Sequence, residues 1–189
     1  MEKLDVLIVG VGGQGTLLAS RVLGKYALEK GYDVKLSEVH GMAQRGGSVM
    51  TYVRIGSKIA SPIIDEGGAD FILAFEKLEA LRYAHYLKPD GRVLYSTQEI
   101  MPMPVVTGAA QYPQGIEQKL VGTGVNALEL ALEAGNTKAA NSVMLGAMCR
   151  LLAFDREAFE QALLSSIPPK TVEMNKKAFE LGYAAVSVG

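Results

Sequence analysis

The period of the apolar positions changes several times along the chain, and each change marks an element. Residues 4–9 are almost continuously apolar and rich in Val and Ile, the pattern of a short strand covered on both faces. Residues 14–30 place Leu18, Val22 and Tyr26 four apart, which predicts a helix that Gly31 is positioned to end. Residues 33–39 alternate well enough for a second strand. A right-handed crossover through the helix predicts that the two strands run parallel. Residues 48–55 and 58–61, separated around Gly56 and Ser57, predict a hairpin or an excursion at the sheet edge. Residues 69–75 form another strand of the buried type. After it come a predicted helix over 76–87, a turn at Lys88, Pro89, Asp90 and Gly91, and a strand over 92–96.

Between residues 97 and 116 the periodicity dissolves at Pro102, Pro104, Gly108, Pro113 and Gly115, and one strand near Val105 is predicted between irregular loops. The last third reads as helical. Asn126 is placed to cap a helix over 127–134 that Gly135 ends, and an apolar helix follows over 141–153. Asp155 caps a helix through 164, and Pro168 and Pro169 start a final helix through about residue 185. There is no internal repeat, low-complexity tract or linker. The expectation is one domain over 1–189, a three-layer α/β/α Rossmann-like fold with a mainly parallel, mixed sheet and extra C-terminal helices.

Composition narrows the functional classes. A length of 189 residues suits one substantial domain, and 49% hydrophobic with 21% charged residues excludes disorder. Lys and Arg number 19 against 20 Asp and Glu, so no basic excess argues for nucleic acid. The N-terminal apolar run is too short for a signal peptide, contains Asp5 and leads into glycines, and no stretch approaches the ~20 apolar residues of a membrane span. The chain is therefore expected to be soluble and cytoplasmic. The single cysteine, Cys149, excludes an internal disulfide and an iron–sulfur cluster held by this chain alone. With only His40 and His85 beside it, no metal site is expected.

Two glycine-bearing segments carry the candidate chemistry. Gly10, Gly12 and Gly15 fit G-x-G-x-x-G directly after a strand and at the mouth of a helix, with Gly13 and Gln14 inside the motif. Glycines let the backbone approach a phosphate, and the free N–H groups of the helix end face the anion. The competing explanation is a turn needed only for close helix–sheet packing. Glu38 ends the second strand near the place of a ribose-binding carboxylate, or is simply a solvated strand end. Residues 40–47 read His-Gly-Met-Ala-Gln-Arg-Gly-Gly, so the Arg45 guanidinium fork lies beside bare backbone, suited to a phosphate or carboxylate. Arg45 in a structural salt bridge or subunit contact is the competing explanation. By topology this loop opens on the same sheet edge as the first glycine turn.

His40 is a candidate proton carrier, or a hydrogen-bonded loop histidine. His85 reads as a partly buried helix residue. Cys149, among Leu145, Met148 and Leu152, reads as a buried inert thiol, and Ser96 and Ser142 lack a nucleophile-elbow context. Met101 and Met103, set among prolines, suit an adaptable interface.

Both glycine segments, Asp70 after Pro62-Ile-Ile, the Asn-Ser-Val-Met-Leu-Gly run over 141–146 and the stretch over 173–182 resemble the gamma subunit or domain of 2-oxoacid:ferredoxin oxidoreductases. The resemblance covers nearly the whole chain in order. The form of residues 40–47 is most similar to the small subunit of the indolepyruvate enzymes, which act on aryl 2-oxoacids. The resemblance implies oxidative decarboxylation of a 2-oxoacid to an acyl-CoA with reduction of ferredoxin. It places thiamine diphosphate, magnesium and the iron–sulfur clusters in a large partner subunit, with coenzyme A as co-substrate. It implies cofactor contacts at Gly10, Gly12, Gly13, Gln14, Gly15, Gln44, Arg45, Gly46 and Gly47, and inactivity of the chain alone. Ferredoxin would be met through the complex, with no nucleic acid or membrane involved, and residues 101–113 would form part of the surface covered by the large partner. Two other readings stay open: an independent NAD(P)-dependent oxidoreductase with Glu38 on the ribose, and a scaffolding module whose glycine loops serve packing.

Overall fold

The computed structural model describes residues 3–40 and 47–187, with the side chain of His40 left out. In chain order the elements are β1 (Lys3–Val11), α1 (Thr16–Glu29), β2 (Asp33–His40), β3 (Ser48–Gly56), β4 (Ala69–Ala74), α2 (Lys77–Arg82) and β5 (Leu87–Ser96). There follow α3 (Met103–Val106), α4 (Ile116–Lys119), β6 (Thr123–Val125), α5 (Ala127–Ala134), α6 (Ala140–Leu151), α7 (Arg156–Leu164) and α8 (Val172–Ala184). The strands make one mixed sheet of order β2-β3-β1-β4-β5-β6.

The β1–β4, β4–β5 and β5–β6 pairs are parallel, while β3 pairs antiparallel with both β1 and β2. β1 and β2 therefore run the same way, as expected, but they are not neighbours. The segment predicted as an edge excursion is an interior strand, and residues 58–61 add no strand. The reason is visible in its side chains. Val53 and Ile55 enter the core on one face of the sheet and Tyr52 the core on the other, and only an interior strand has both faces covered.

Three further expectations change. Residues 88–91 do not form a free turn but lie within β5. Ala69 pairs Leu87 and Phe71 pairs Arg92, so the turn residues are absorbed as a bulge. A side chain at Gly91 would stand 2.7 Å from Leu87 and 3.0 Å from the Ala69 carbonyl, which explains the glycine there. The helix predicted over 76–87 shortens to α2 followed by one 3-10 turn over Ala84–Tyr86. Val105 lies in the one-turn helix α3 rather than a strand, because Pro104 sits in a first turn where its missing N–H costs nothing. The strand of that region is β6.

Apolar alternation splits the interior in two. Val6, Ile8, Phe71, Leu73 and Leu94 point to the thick layer of α1, α5, α6, α7 and α8, while Leu7, Val9, Ile72 and Val93 point to the thinner layer of α2 and α4. The helix signals read from sequence act as caps: Asn126 Oδ1 accepts from the Glu129 N–H, and Asp155 Oδ1 from the Ala158 N–H at 3.1 Å. In the thick layer α6 and α8 touch backbone to backbone. A Cβ on Gly146 would lie 2.0 Å from the Phe179 carbonyl oxygen, and one on Gly182 1.9 Å from that of Val143. Beside this contact the buried Ser142 hydroxyl donates to Asn175 Oδ1 at 2.6 Å.

Because both obstacles are main chain, relaxation by rotamer change is closed. Gly146→Ala is expected to lower unfolding free energy by about 3 kcal/mol, the upper end for overpacking, read from urea denaturation.

Candidate functional site

The strands β1, β4 and β5 end on the same edge, and a cleft of about 230 Å³ opens there. Gly13 and Gln14 line it after β1, Phe75 after β4, and Ser96 and Gln98 at the end of β5. Its opposite wall is helical, with Thr137, Lys138, Asn141 and Met144. This is the place where open α/β sheets hold ligands.

Gln14 builds the sheet side. Its Oε1 accepts from the Val11 N–H at 2.8 Å, and its Nε2 donates to the Phe75 carbonyl at 2.8 Å and to Gln98 Oε1 at 3.1 Å. Both amide hydrogens are spent, so the side chain organises the cleft and has no donor left for a ligand. Gly10 makes room for it: a Cβ there would stand 3.0 Å from Gln14 Oε1 and 3.2 Å from Phe75 Cβ.

The other glycines leave backbone exposed. Gly13 and Gly15 have φ of 101° and 90°, the left-handed region that side chains disfavour. The N–H groups of Gly13, Gly15 and Thr16 have no acceptor among the described residues. No acidic residue occupies the first turn of α1, so the positive end of the helix is uncompensated there. A Cβ on Gly15 would meet Asn141 Nδ2 at 2.5 Å, so that amide lies directly over the glycine. Asn141 Oδ1 accepts from the Ser142 N–H at 2.8 Å, leaving Nδ2 on the cleft side. Lys138 stands exposed at the rim.

The second glycine segment meets the first. The Gly12 N–H donates to the Gly47 carbonyl at 2.9 Å, so the described end of the second segment lies against the first glycine turn. Gln44, Arg45 and Gly46 lie outside the described residues. Ser48 hydrogen-bonds the Glu79 carboxylate, which also accepts from Arg82 Nε at 3.1 Å, and the Ser48 and Tyr83 hydroxyls are 2.9 Å apart.

Glu76 is buried at the start of α2. Its carboxylate accepts from the Glu79 N–H at 2.8 Å, and from the Ile100 N–H and the Tyr112 hydroxyl at 3.1 Å each. It thereby clamps both ends of the 100–112 excursion, which exposes Met101, Met103 and Val106. Burial pushes the Glu76 carboxyl above the usual carboxylate range, against the hydrogen bonds that favour its charged form.

The remaining candidates separate from the cleft. Glu38 lies on the edge strand β2, two strand spacings or about 10 Å from β1, because β3 occupies the place beside β1 where the strand carrying a ribose carboxylate would have to run. The nicotinamide reading fails on this geometry. His40 ends β2 opposite Val49. His85 is exposed rather than partly buried, with Nδ1 3.1 Å from the Arg82 carbonyl. Cys149 is fully buried and burial pushes its thiol up to about 12, consistent with an inert core residue. Ser96 and Ser142 are buried as well. Asp70 accepts from the Asp5 N–H at 2.8 Å and pairs with Lys88, a structural role. Lys138 was beyond sequence reasoning, because nothing local marks it. Among the described residues no group of three or more His, Cys, Asp or Glu is placed to hold a metal, and no helix is long and apolar enough to cross a membrane.

Residues 5–185 match the family described as pyruvate ferredoxin/flavodoxin oxidoreductase. The chain belongs to that family. It is 43% identical over 195 residues to the indolepyruvate oxidoreductase subunit IorB of Thermococcus kodakarensis, covering 98% of this chain and 96% of that one. It is 32% identical to the ketoisovalerate oxidoreductase subunit VorA of Methanothermobacter marburgensis, covering 96% of this chain but 36% of that protein. Among solved structures, the gamma subunit of a keto/oxoacid ferredoxin oxidoreductase from Geobacter sulfurreducens superposes with a TM-score of 0.73 at 30% identity, covering 96% of this chain and 97% of that one. The family member described here thus shares its architecture with a gamma subunit.

Glu76 supplies a pH test. A carboxyl whose folded pKa is raised holds its proton longer when folded, so its contribution is full at low pH and fades as pH rises through the folded value. Urea midpoints should therefore fall between about pH 4.5 and neutrality by more in the unmodified chain than in Glu76→Gln. Parallel pH profiles would refute this.

Proposed function

We propose that this chain is the small, gamma-type subunit of an indolepyruvate-class 2-oxoacid:ferredoxin oxidoreductase, with residues 1–189 acting as one unit. The observation that carries the reading is the near full-length, 43% match to a whole IorB chain, against 32% to a segment of VorA. The substrate class is an aryl 2-oxoacid. Thiamine diphosphate, magnesium and iron–sulfur clusters belong to a large partner subunit in the cytoplasm, and ferredoxin docks on the assembled complex.

The cleft at the strand ends is the part this chain contributes to coenzyme A. Its chemistry fits a phosphate-bearing ligand: the Gly13 N–H lines the cleft, those of Gly15 and Thr16 follow at the start of α1, none of the three has an acceptor among the described residues, and the Lys138 ammonium stands at the rim. The helix end and Lys138 neutralise the anion, Asn141 Nδ2 fixes its orientation over Gly15, and Phe75 with Met144 gives the cleft an apolar floor. Coenzyme A supplies the thiol that accepts the acyl group; the residues named here only bind and orient it. Gln44, Arg45 and Gly46, which lie outside the described residues, are assigned to the same ligand on the sequence resemblance alone, as further phosphate contacts. The exposed Met101, Met103 and Val106 form the face that meets the large partner.

Co-expression with the large subunit tests the proposal. The complex should reduce ferredoxin with an aryl 2-oxoacid and coenzyme A, and the isolated chain should not. Turnover by this chain alone would end the subunit reading. In the complex, Gly15→Ala, which pushes Asn141 aside, and Lys138→Ala should each raise KM for coenzyme A about tenfold while leaving that for the oxoacid unchanged. An effect on the oxoacid alone would remove the assignment of the cleft.

The exposed methionine face has its own test. Met103→Glu with Val106→Glu should weaken association with the large subunit at least tenfold, with circular dichroism unaltered. Unchanged association would move the interface elsewhere.

A further inference from the structure

On the side of the molecule away from the methionine face, α1 and the edge strand β2 form an apolar groove of about 420 Å³. Leu17, Arg21, Gly24 and Leu28 recur at helical spacing along the outer face of α1. Leu17 and Leu28 are 42% and 64% exposed, and Leu36 of β2, facing the same groove, is 44% exposed. Gly24 forms the floor, with Leu36 Cδ1 3.6 Å from where a Cβ would stand. Among the described strands β2 pairs only with β3, so the outer side of its backbone ladder is open. Natural sheets blunt such edges with proline, bulges or charge; β2 has no proline or bulge and pairs in unbroken register, and its charged residues Asp33, Lys35 and Glu38 lie to either side of Leu36, which it presents to the groove.

Charge placement identifies what covers the groove. Arg21 lines one end and Glu29 the other, both exposed and neither in an ion pair among the described residues. They are eight residues apart, about 12 Å along the helix. Lys25 between them also lines the groove, and its ammonium donates to Ser165 Oγ at 2.6 Å. A two-fold axis perpendicular to the sheet near Gly24 and Leu36 reverses α1 against its copy. Arg21 of each molecule then faces Glu29 of the other, and the two Leu36 side chains meet on the axis. The same operation sets two β2 edges antiparallel, the arrangement in which open ladders pair. The patch is complementary to itself, the property of an isologous interface.

We infer that this groove is a homodimer interface, in which two copies of the chain join through α1 and β2 about a two-fold axis. The inference goes beyond the proposed function and does not rest on it.

The full chain is tested by sedimentation equilibrium. The unmodified chain should dimerise at micromolar concentration. Arg21→Glu alone sets carboxylates face to face, Glu29→Arg alone sets guanidinium groups face to face, and each should raise the dimer dissociation constant at least tenfold. The double variant restores opposite charges across the axis and should recover most of the affinity. A heterologous partner has no reason to be rescued by that swap. Independently, Leu36→Cys should cross-link to its own copy under mild oxidation, because directly opposed antiparallel residues stand at disulfide distance while Cys149 is buried. A monomeric unmodified chain, a double variant as weak as the single ones, or no cross-link would each overturn the inference.

Discussion

The cleft depends on one side-chain amide. Gln14 stands at the end of β1 and bonds the backbone of its own turn, the carbonyl that follows β4 and a side chain just past β5. Three parallel strands are thereby held flush at their carboxyl ends, each bond contributing about 1 kcal/mol net. The glycine motif divides around this residue. Gly10 and Gln14 shape the turn, whereas the amide groups of Gly13 and Gly15 have no acceptor among the described residues. A motif that looks like one set of ligand contacts is half framework.

The second organising feature is the antiparallel insertion of β3. It displaces β2 to the sheet edge and brings Gly47 against Gly12. The two glycine segments thus meet through a hairpin return rather than through two adjacent parallel strands. The insertion also buries a charge. Asp5 on β1 is only 2% exposed and is held by Arg54 on β3 at 2.9 Å and by Lys3 at 2.8 Å. Arg54 in turn donates to the carbonyls of Ser61 and Ile63, tying the 57–68 connection to the strand pair.

Most of the fold was legible because it rests on local rules. The apolar runs of β1 and β4, the Asn126 and Asp155 caps and the Gly135 stop each act through neighbours within a few residues. What escaped was decided at long range. Nothing within residues 48–56 tells whether the strand lies inside or at the edge, since that depends on where β1 and β2 leave space. Lys88, Pro89, Asp90 and Gly91 have true turn chemistry, and only pairing with β4 turns them into a bulge. The region around Val105 defeated strand assignment because two prolines in a short segment suit a single helical turn equally well. At the cleft the glycines were visible by motif, whereas Asn141 stood only in a stretch that carried the resemblance, with no role attached to it. Lys138 enters only because α6 begins where the sheet ends.

The glycine contact between α6 and α8 bears on how the cleft responds to occupancy. With main chains in contact at Gly146 and Gly182, no layer of side chains is left to act as a lubricant between the helices. The wall that carries Asn141 is consequently set before any ligand arrives, and little ordering entropy remains to be lost on binding. Closure over a bound molecule must then come from elements outside this wall, so the chain behaves as a fixed abutment against which a more mobile neighbour can work.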